Sequence, residues 1–229
     1  MPHLGVITGL ASEAACFDVY DFDERPAIRV SGANAQRAGE AAEALVSQGC
    51  TALMSLGLSG ALDPHHEPGD VIIVESVVFA GGPGIPVHAR WRRGLELALS
   101  DCVPAKTGTV TGSDQPLLTP EEKIACHMAC NAVAVDMESH AVARVAKRHG
   151  LPFAALRVIS DGHQARIPAW TLTGIREDGS MREAQIAAGF LAQPWLWPTM
   201  VSLAVSNRKA MRALRRAVLI AGPGLQFPG

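Results

Sequence analysis

Along the chain, short apolar runs alternate with stretches whose apolar positions recur at helical spacing. The apolar runs fall at 4–8, 28–30, 52–56, 71–78, 107–110, 132–135 and 153–159. They show little polar alternation, which marks strands covered on both faces. A helix is predicted over 35–48, with Ala38, Ala41, Ala42, Leu45 and Val46 on one face and Gly49 as its stop. A second begins at Thr119-Pro120-Glu121-Glu122, where Thr119 serves as N-cap, Pro120 occupies the first turn and Glu122 completes a capping box. A third is predicted over 137–149, with Val142, Val145 and Ala146 as its stripe, Gly150 at its end and Pro152 just beyond. The Gly-Pro stretch 81–84 reads as a loop. These elements predict an α/β fold: a three-layer α/β/α sandwich around a mixed, mostly parallel central sheet.

Length and composition narrow this further. A chain of 229 residues suits one large domain over 1–229, with a C-terminal helical extension from about residue 165. Twenty basic residues against 22 acidic ones create no bulk field for nucleic acid, and 5% aromatic content leaves few stacking platforms for bases. The five cysteines (Cys16, Cys50, Cys102, Cys126 and Cys130) are odd in number and lack CxxC spacing, so they read as reduced, buried, small hydrophobes in a cytosol. Cys126-His127-Met128-Ala129-Cys130 matches no zinc spacing; Met128 reads as core, and no metal is expected. The opening MPHLGVITGLASEA lacks a basic n-region and reads as a first strand, not a signal peptide. No apolar run approaches the roughly 18 residues of a membrane span, which predicts a soluble, cytoplasmic protein.

Candidate chemistry collects where ligands gather in open α/β sheets, just outside the carboxyl ends of strands. Glu13 follows the first strand, Gly57-Leu58-Ser59-Gly60 the third, Asp136-Met137-Glu138 the sixth and Ser160-Asp161-Gly162 the seventh. Each has an ordinary reading as well: Glu138 can complement a helix dipole, Asp161-Gly162 can be a plain turn, and Gly57 and Gly60 can permit a tight bend. Neither GxxxxGK[ST] nor GxGxxG occurs. Several acids facing one cleft suit a cationic transition state. Ribosyl bond cleavage develops positive charge on the sugar and needs an acid for the departing group.

The segment VDMESHAVARVAKRHGLPFAALRVISD resembles the signature of the nucleoside phosphorylase and nucleosidase superfamily. The likeness extends over about residues 4–161, including GLASE, Ser31-Gly32, the 57–62 turn and Thr111-Gly112-Ser113-Asp114. The remainder, HQARIPAWTLTGIREDGSMREAQIAAGFLAQPWLWPTMVSLA, resembles one branch, the hopanoid-associated phosphorylases. That resemblance implies adenosylhopane as substrate, with release of adenine and a ribosylated hopane. It makes Glu138 the acceptor for the ribose 2′- and 3′-hydroxyls and packs Met137 on the sugar. Asp161, steadied by Ser160, becomes the proton donor to N7 of adenine, a role that calls for burial or a neighbouring negative charge. Glu13 matches the acid that activates water in hydrolytic members.

Departures from the family pattern are specific. Leu58 replaces the usual hydroxyl residue after the first glycine of the 57–62 turn, leaving Ser59 one position on. Pro116 and Leu117 stand near the usual purine-stacking aromatic. Arg37 and Arg157 are the candidate anion partners, so phosphate as co-substrate competes with water, and no cofactor is implied. Within the enzyme class the alternative is a general purine or methylthioadenosine/adenosylhomocysteine-type nucleosidase. Outside it stands a noncatalytic nucleoside or lipid binder. By the same resemblance a homodimer is expected.

A hopane substrate would have to be met at a bilayer. Trp195 and Trp197 lie in a Pro-bounded loop, and Trp favours membrane interfaces. The following helix carries Arg208, Arg212, Arg215 and Arg216 on one flank beside Met211, Leu214 and Val218. Such a helix either packs its apolar stripe on the sheet or makes a peripheral contact at the inner membrane surface.

Overall fold

The computed structural model describes residues 3–80, 82–100 and 104–229. In chain order its elements are β1 (Leu4–Thr8), α1 (Ala11–Ala14), β2 (Ala27–Val30), α2 (Ala35–Ser47), β3 (Ala52–Ala61), β4 (Val71–Phe79), β5 (Gly82–Pro86), α3 (Ala89–Leu99), β6 (Ala105–Gly112), α4 (Pro120–Cys130), β7 (Ala134–Asp136), α5 (Ser139–His149), β8 (Phe153–Asp161), α6 (Ala169–Thr173), α7 (Glu183–Ala192) and α8 (Trp197–Ala221). Short 3-10 turns at Ala15–Phe17, Phe22–Glu24 and Pro194–Leu196 complete the list.

All strands join one sheet of order β2-β1-β3-β7-β6-β4-β5, with β8 paired to both β3 and β4. Parallel pairings join β1 to β2 and β3, β8 to β3, and β6 to β4 and β7. Antiparallel pairings join β3 to β7, β4 to β5, and β4 to β8. The mixed, mostly parallel sheet is therefore as expected. Its closure is not evident from the strand runs: β3, β8, β4, β6 and β7 pair in a ring, so five of the eight strands are barrel-like, and β2, β1 and β5 extend from them.

Two cores lie on the two sides of the sheet. Ala38, Ala42 and Leu45 of α2 and Val142, Val145 and Ala146 of α5 pack on one side, the face that the helical spacing predicted. Trp91, Leu95 and Leu99 of α3 pack on the other with Ala210, Leu214 and Val218 of α8. Burial of one such Leu or Val side chain is worth roughly 1.5–3 kcal/mol, so these turns of α8 are part of the main core. Trp91 is fully buried, and its indole N–H donates to the Leu225 carbonyl at 2.7 Å.

Several expectations are corrected. Residues 82–84 belong to an edge strand, β5, because antiparallel pairing with β4 overrides their loop-like composition; Gly81 lies outside the described residues. The 57–62 stretch is not a turn: β3 continues through Ala61, held by β8 from Leu53 to Gly60 and by β7 at its end. Met128 is exposed; it is Cys126 and Cys130 of α4 that pack, against Leu62, Ala132 and Val135. Cys16 and Cys50 are buried, but Cys126 and Cys130 are only half-buried; Cys102 lies outside the described residues. Among the described residues no cluster of His, Cys, Asp and Glu could hold a metal ion, and no helix is long and apolar enough to cross a membrane.

Candidate active site

The ends of β1, β7 and β8 and the last residues of β3 border a cleft of about 230 Å³. Glu13, Met137, Glu138, Ser160 and Asp161 all line it, together with Ser59, Gly60, Pro116 and Leu117. The acids that are far apart in sequence thus share one pocket. Asp136 lines it as well, and so do Ile167, Ile175 and Asn207 from the C-terminal segment.

The strand-to-helix junction at Asp136-Met137-Glu138 assigns different work to its two carboxylates. Asp136 does the capping: its Oδ1 accepts from the backbone N–H groups of Glu138 (2.8 Å) and Ser139 (2.7 Å), and its Oδ2 from the Ser139 hydroxyl (2.6 Å). α5 accordingly starts at Ser139, two residues later than the helical spacing predicts. Glu138 makes no side-chain cap and is free to face the cleft. At the other end of α5, Gly150 takes the left-handed conformation (φ 65°) that a helix stop requires.

Glu13 is held by three backbone donors. Gly9 and Leu10 each donate to its Oε2 at 2.8 Å, and Leu58 donates to its Oε1 at 2.7 Å. A carboxylate offers about four acceptor positions, so one is left on Oε1. Leu58 therefore contributes to the site through its backbone N–H. The Ser59 hydroxyl is buried and has no partner among the described residues.

Gly9 and Gly60 line the cleft, whereas Gly57 does not and instead backs the Glu13 carboxylate; all three make room for acids. A methyl group on Gly57 would stand 2.8 Å from both Glu13 oxygens and 2.9 Å from Arg157 Nη1. On Gly9 it would meet Glu138 Oε1 at 2.9 Å, and on Gly60 Asp161 Oδ2 at 3.1 Å. Three carboxylates thus lie flat against backbone that carries no Cβ.

Arg157 is fully buried behind this layer. Its guanidinium pairs with Asp136 (Nε to Oδ2, 3.1 Å) and, more loosely, with Glu138 (Nη2 to Oε2, 3.6 Å), and it also donates to the hydroxyls of Ser55 and Ser139. A guanidinium so engaged balances buried carboxylates. It does not line the cleft, and neither does Arg37, which donates to the carbonyls of Ser31 (2.7 Å) and Gly32 (2.9 Å). His140, outside the cleft, binds Asp114 at 2.9 Å.

Burial raises the proton affinity of the two glutamates. Glu138 is pushed up to about 8, chiefly by desolvation; Arg157 opposes the rise, and Asp136 and Glu13 add to it. Glu13 is raised as well, by burial, against the pull of its backbone donors and Arg157.

Asp161 is placed differently. Its Oδ1 accepts from the Ser160 hydroxyl at 2.7 Å, as the resemblance implies, but its Oδ2 lies 2.5 Å from the ammonium of Lys123, a fully buried lysine on α4. The expected neighbour was an anion or apolar surface; the structure supplies a cation. Sequence reasoning missed Lys123 because a lysine after two glutamates at a helix start reads as solvated surface. One usable signal was its position four residues after the Thr119 cap, on the inward side of that turn.

The description "Phosphorylase superfamily" belongs to the family model that matches residues 22–192. None of the curated protein sequences matches the chain. Among solved structures, futalosine hydrolase of Helicobacter pylori superposes with a TM-score of 0.68 at 15% identity, covering 94% of this chain and 97% of that one. S-adenosylhomocysteine nucleosidase from Streptococcus pyogenes, in complex with 5-methylthiotubericidin, gives 0.67 at 16% identity over 94% of this chain and 95% of that one. The Streptococcus pneumoniae MTA/SAH nucleosidase, in complex with 8-aminoadenine, gives 0.66 at 19% identity over 82% and 98%. At such identities the likeness is one of fold.

Proposed function

This chain belongs to the phosphorylase superfamily, and from that premise we propose that it hydrolyses the N-ribosyl bond of an adenine nucleoside attached to a hopane, releasing adenine. The observation that carries the reading is the convergence of Glu13, Glu138 and Asp161 on one cleft. Glu138, as a carboxylate, accepts the ribose 2′- and 3′-hydroxyl hydrogens, and Met137 packs on the sugar. Asp161 gives its proton to N7 as the C1′–N9 bond breaks and the bonding pair passes to the base. The positive charge on the sugar is held by the facing carboxylates. Water adds at C1′, and Glu13 takes its proton through the acceptor position left on Oε1.

Water is favoured over phosphate because the described residues that line the cleft include four acids and no Lys, Arg or His. A phosphate would find no guanidinium or ammonium among those lining residues to bind it. Adenine release from adenosylhopane in detergent micelles, followed by chromatography, tests this. Equal rates with and without phosphate are expected, and dependence on phosphate would make the enzyme a phosphorylase. Faster release from methylthioadenosine than from adenosylhopane would favour the second reading, a nucleosidase acting on small adenine nucleosides. The nucleosidase neighbours support that reading by fold.

The lipid reading draws on cleft size and the surface beside it. About 230 Å³ lies below the roughly 300–1,000 Å³ of a drug-sized ligand pocket, which suits a nucleoside and leaves a pentacyclic hydrocarbon outside. The C-terminal segment that walls the cleft also carries an uncovered apolar stripe. Trp195 is 71% exposed, and Val201 and Val205 of α8 are 58% and 63% exposed. Arg208, Arg212, Arg215 and Arg216 continue that face of α8. Trp197, by contrast, stacks on Phe190 at 5.2 Å and donates its indole N–H to the Phe190 carbonyl. Trp followed by arginines complements an anionic bilayer. Co-sedimentation with phosphatidylglycerol vesicles is expected, weakened several-fold by Trp195→Ala and by high salt. No sedimentation at low salt would remove the membrane from the proposal.

A further inference from the structure

Lys123 is a buried charged group that the proposed chemistry leaves unused. Its Nζ makes three contacts: Asp161 Oδ2 at 2.5 Å, the Gly162 carbonyl at 2.9 Å and the Ala165 carbonyl at 3.4 Å. An ammonium has three donors, and all three are spent on the end of β8 and the loop that follows it. That loop carries Ile167, which lines the cleft and whose N–H donates to the Leu118 carbonyl at 2.8 Å. Lys123 therefore ties α4, Asp161 and the cleft wall at Ile167 into one unit. A buried lysine is tolerated only with a partner that bears the opposite charge or with full hydrogen bonding. Here the partner is the residue that gives up the proton.

We propose that Lys123 is a positioning residue for Asp161, which it aims at the base and whose negative charge it neutralises once the proton has left; this rests on the nucleosidase reading above. The step balances. With the nucleoside bound, Asp161 takes a proton from solvent, that proton passes to N7, the C1′–N9 electron pair goes to the base, and the ammonium–carboxylate pair of the free enzyme is restored. Water supplies the hydroxyl group to C1′ and its proton to Glu13, which releases it to solvent, so that one proton is taken from solvent at Asp161 and one returned to it at Glu13. Other ionisable groups lining the cleft are Glu13 on α1 and Asp136 and Glu138 before α5. Glu121 and Glu122 on the first turn of α4 are turned away, one toward Arg166 and the other to the backbone N–H groups of Leu118 and Thr119.

The test is a double-mutant cycle on adenine release under single-turnover conditions, with Lys123→Met and Asp161→Asn. In the parent background Lys123→Met is expected to slow release by about 100-fold, the scale of one general-acid contribution, and to move the alkaline limb of the pH profile upward. In the Asp161→Asn background the same change is expected to cost less than about 3-fold. Equal losses in both backgrounds with an unmoved pH limb would overturn the proposal and leave Lys123 a structural residue. If Lys123→Met lacks the parent's circular dichroism, Lys123→Gln, which keeps donors without the charge, runs the same cycle with the same criteria. Failure of the parent protein to release adenine from either nucleoside would instead refute the nucleosidase reading.

Discussion

Asp161→Asn is expected to slow adenine release by about 100- to 10,000-fold while leaving the affinity for a bound, uncleaved nucleoside within a few-fold. An amide cannot give a proton to N7, yet its oxygen can still accept from Lys123 while its NH2 group donates to the Ser160 hydroxyl oxygen, so the cleft keeps its shape. The loss should therefore fall on kcat more than on KM. Stability should fall as well. The ammonium of Lys123, fully buried and 2.5 Å from Asp161, would lose its counter-charge, and removing one partner of a buried ion pair costs about 3–5 kcal/mol. Release is read by chromatography of adenine and stability by urea denaturation. Full activity in this variant would exclude Asp161 as the acid.

Glu138→Gln should separate activity from stability in opposite directions. Two hydroxyl bonds to a charged acceptor, at about 1.5–3 kcal/mol each, would be weakened, so kcat/KM should drop about 100-fold or more. The folded protein, however, should gain. Burial lifts Glu138 from an ordinary carboxylate value of 4.5 to about 8. Between those two values the folded state keeps a proton that the unfolded chain has given up, so stability falls as pH rises through the window. A neutral amide removes that slope. The variant should match the parent near pH 4 and exceed it at pH 8 by about 1–3 kcal/mol. Urea titrations across that range check it, and a variant less stable than the parent at pH 8 would contradict it. In the parent, nucleoside binding should release a proton near neutrality, because the ribose hydroxyls favour the charged carboxylate.

Much of this arrangement could be read from the chain, and what could not has physical causes. β1 has the predicted bounds, because an unbroken apolar run bounded by turn residues has few other fates. The capping box of Thr119 and Glu122 formed as read, with bonds of 3.2 and 3.0 Å, because it depends only on neighbours in sequence. Features set by distant partners were hidden. Gly57 and Gly60 look like a bend until β8 is laid beside them, when they prove to be strand positions kept bare for Glu13 and Asp161. β5 looks like a loop until β4 supplies its bonds. α3 carries a weak sequence signal because it depends on distant packing: it is capped by the His88 ring and buried through Trp91. Lys123 is the sharpest case, since its one local signal was its place four residues after the Thr119 cap and the partner that explains its burial is 38 residues away. Among the site residues, the acids and Ser160 were legible together with their shared cleft. Arg157 was legible as a charge but not as the internal counter-ion of Asp136.

The most direct measurement is a crystal structure of the protein with an uncleavable adenine nucleoside analogue. Density for the ribose diol at Glu138 and for the N7 edge of the base at Asp161 is the expected result. An analogue bound with its base away from Asp161, or bound outside the cleft that Glu13, Glu138 and Asp161 share, would contradict the assignment of those three acids to a single glycosidic bond.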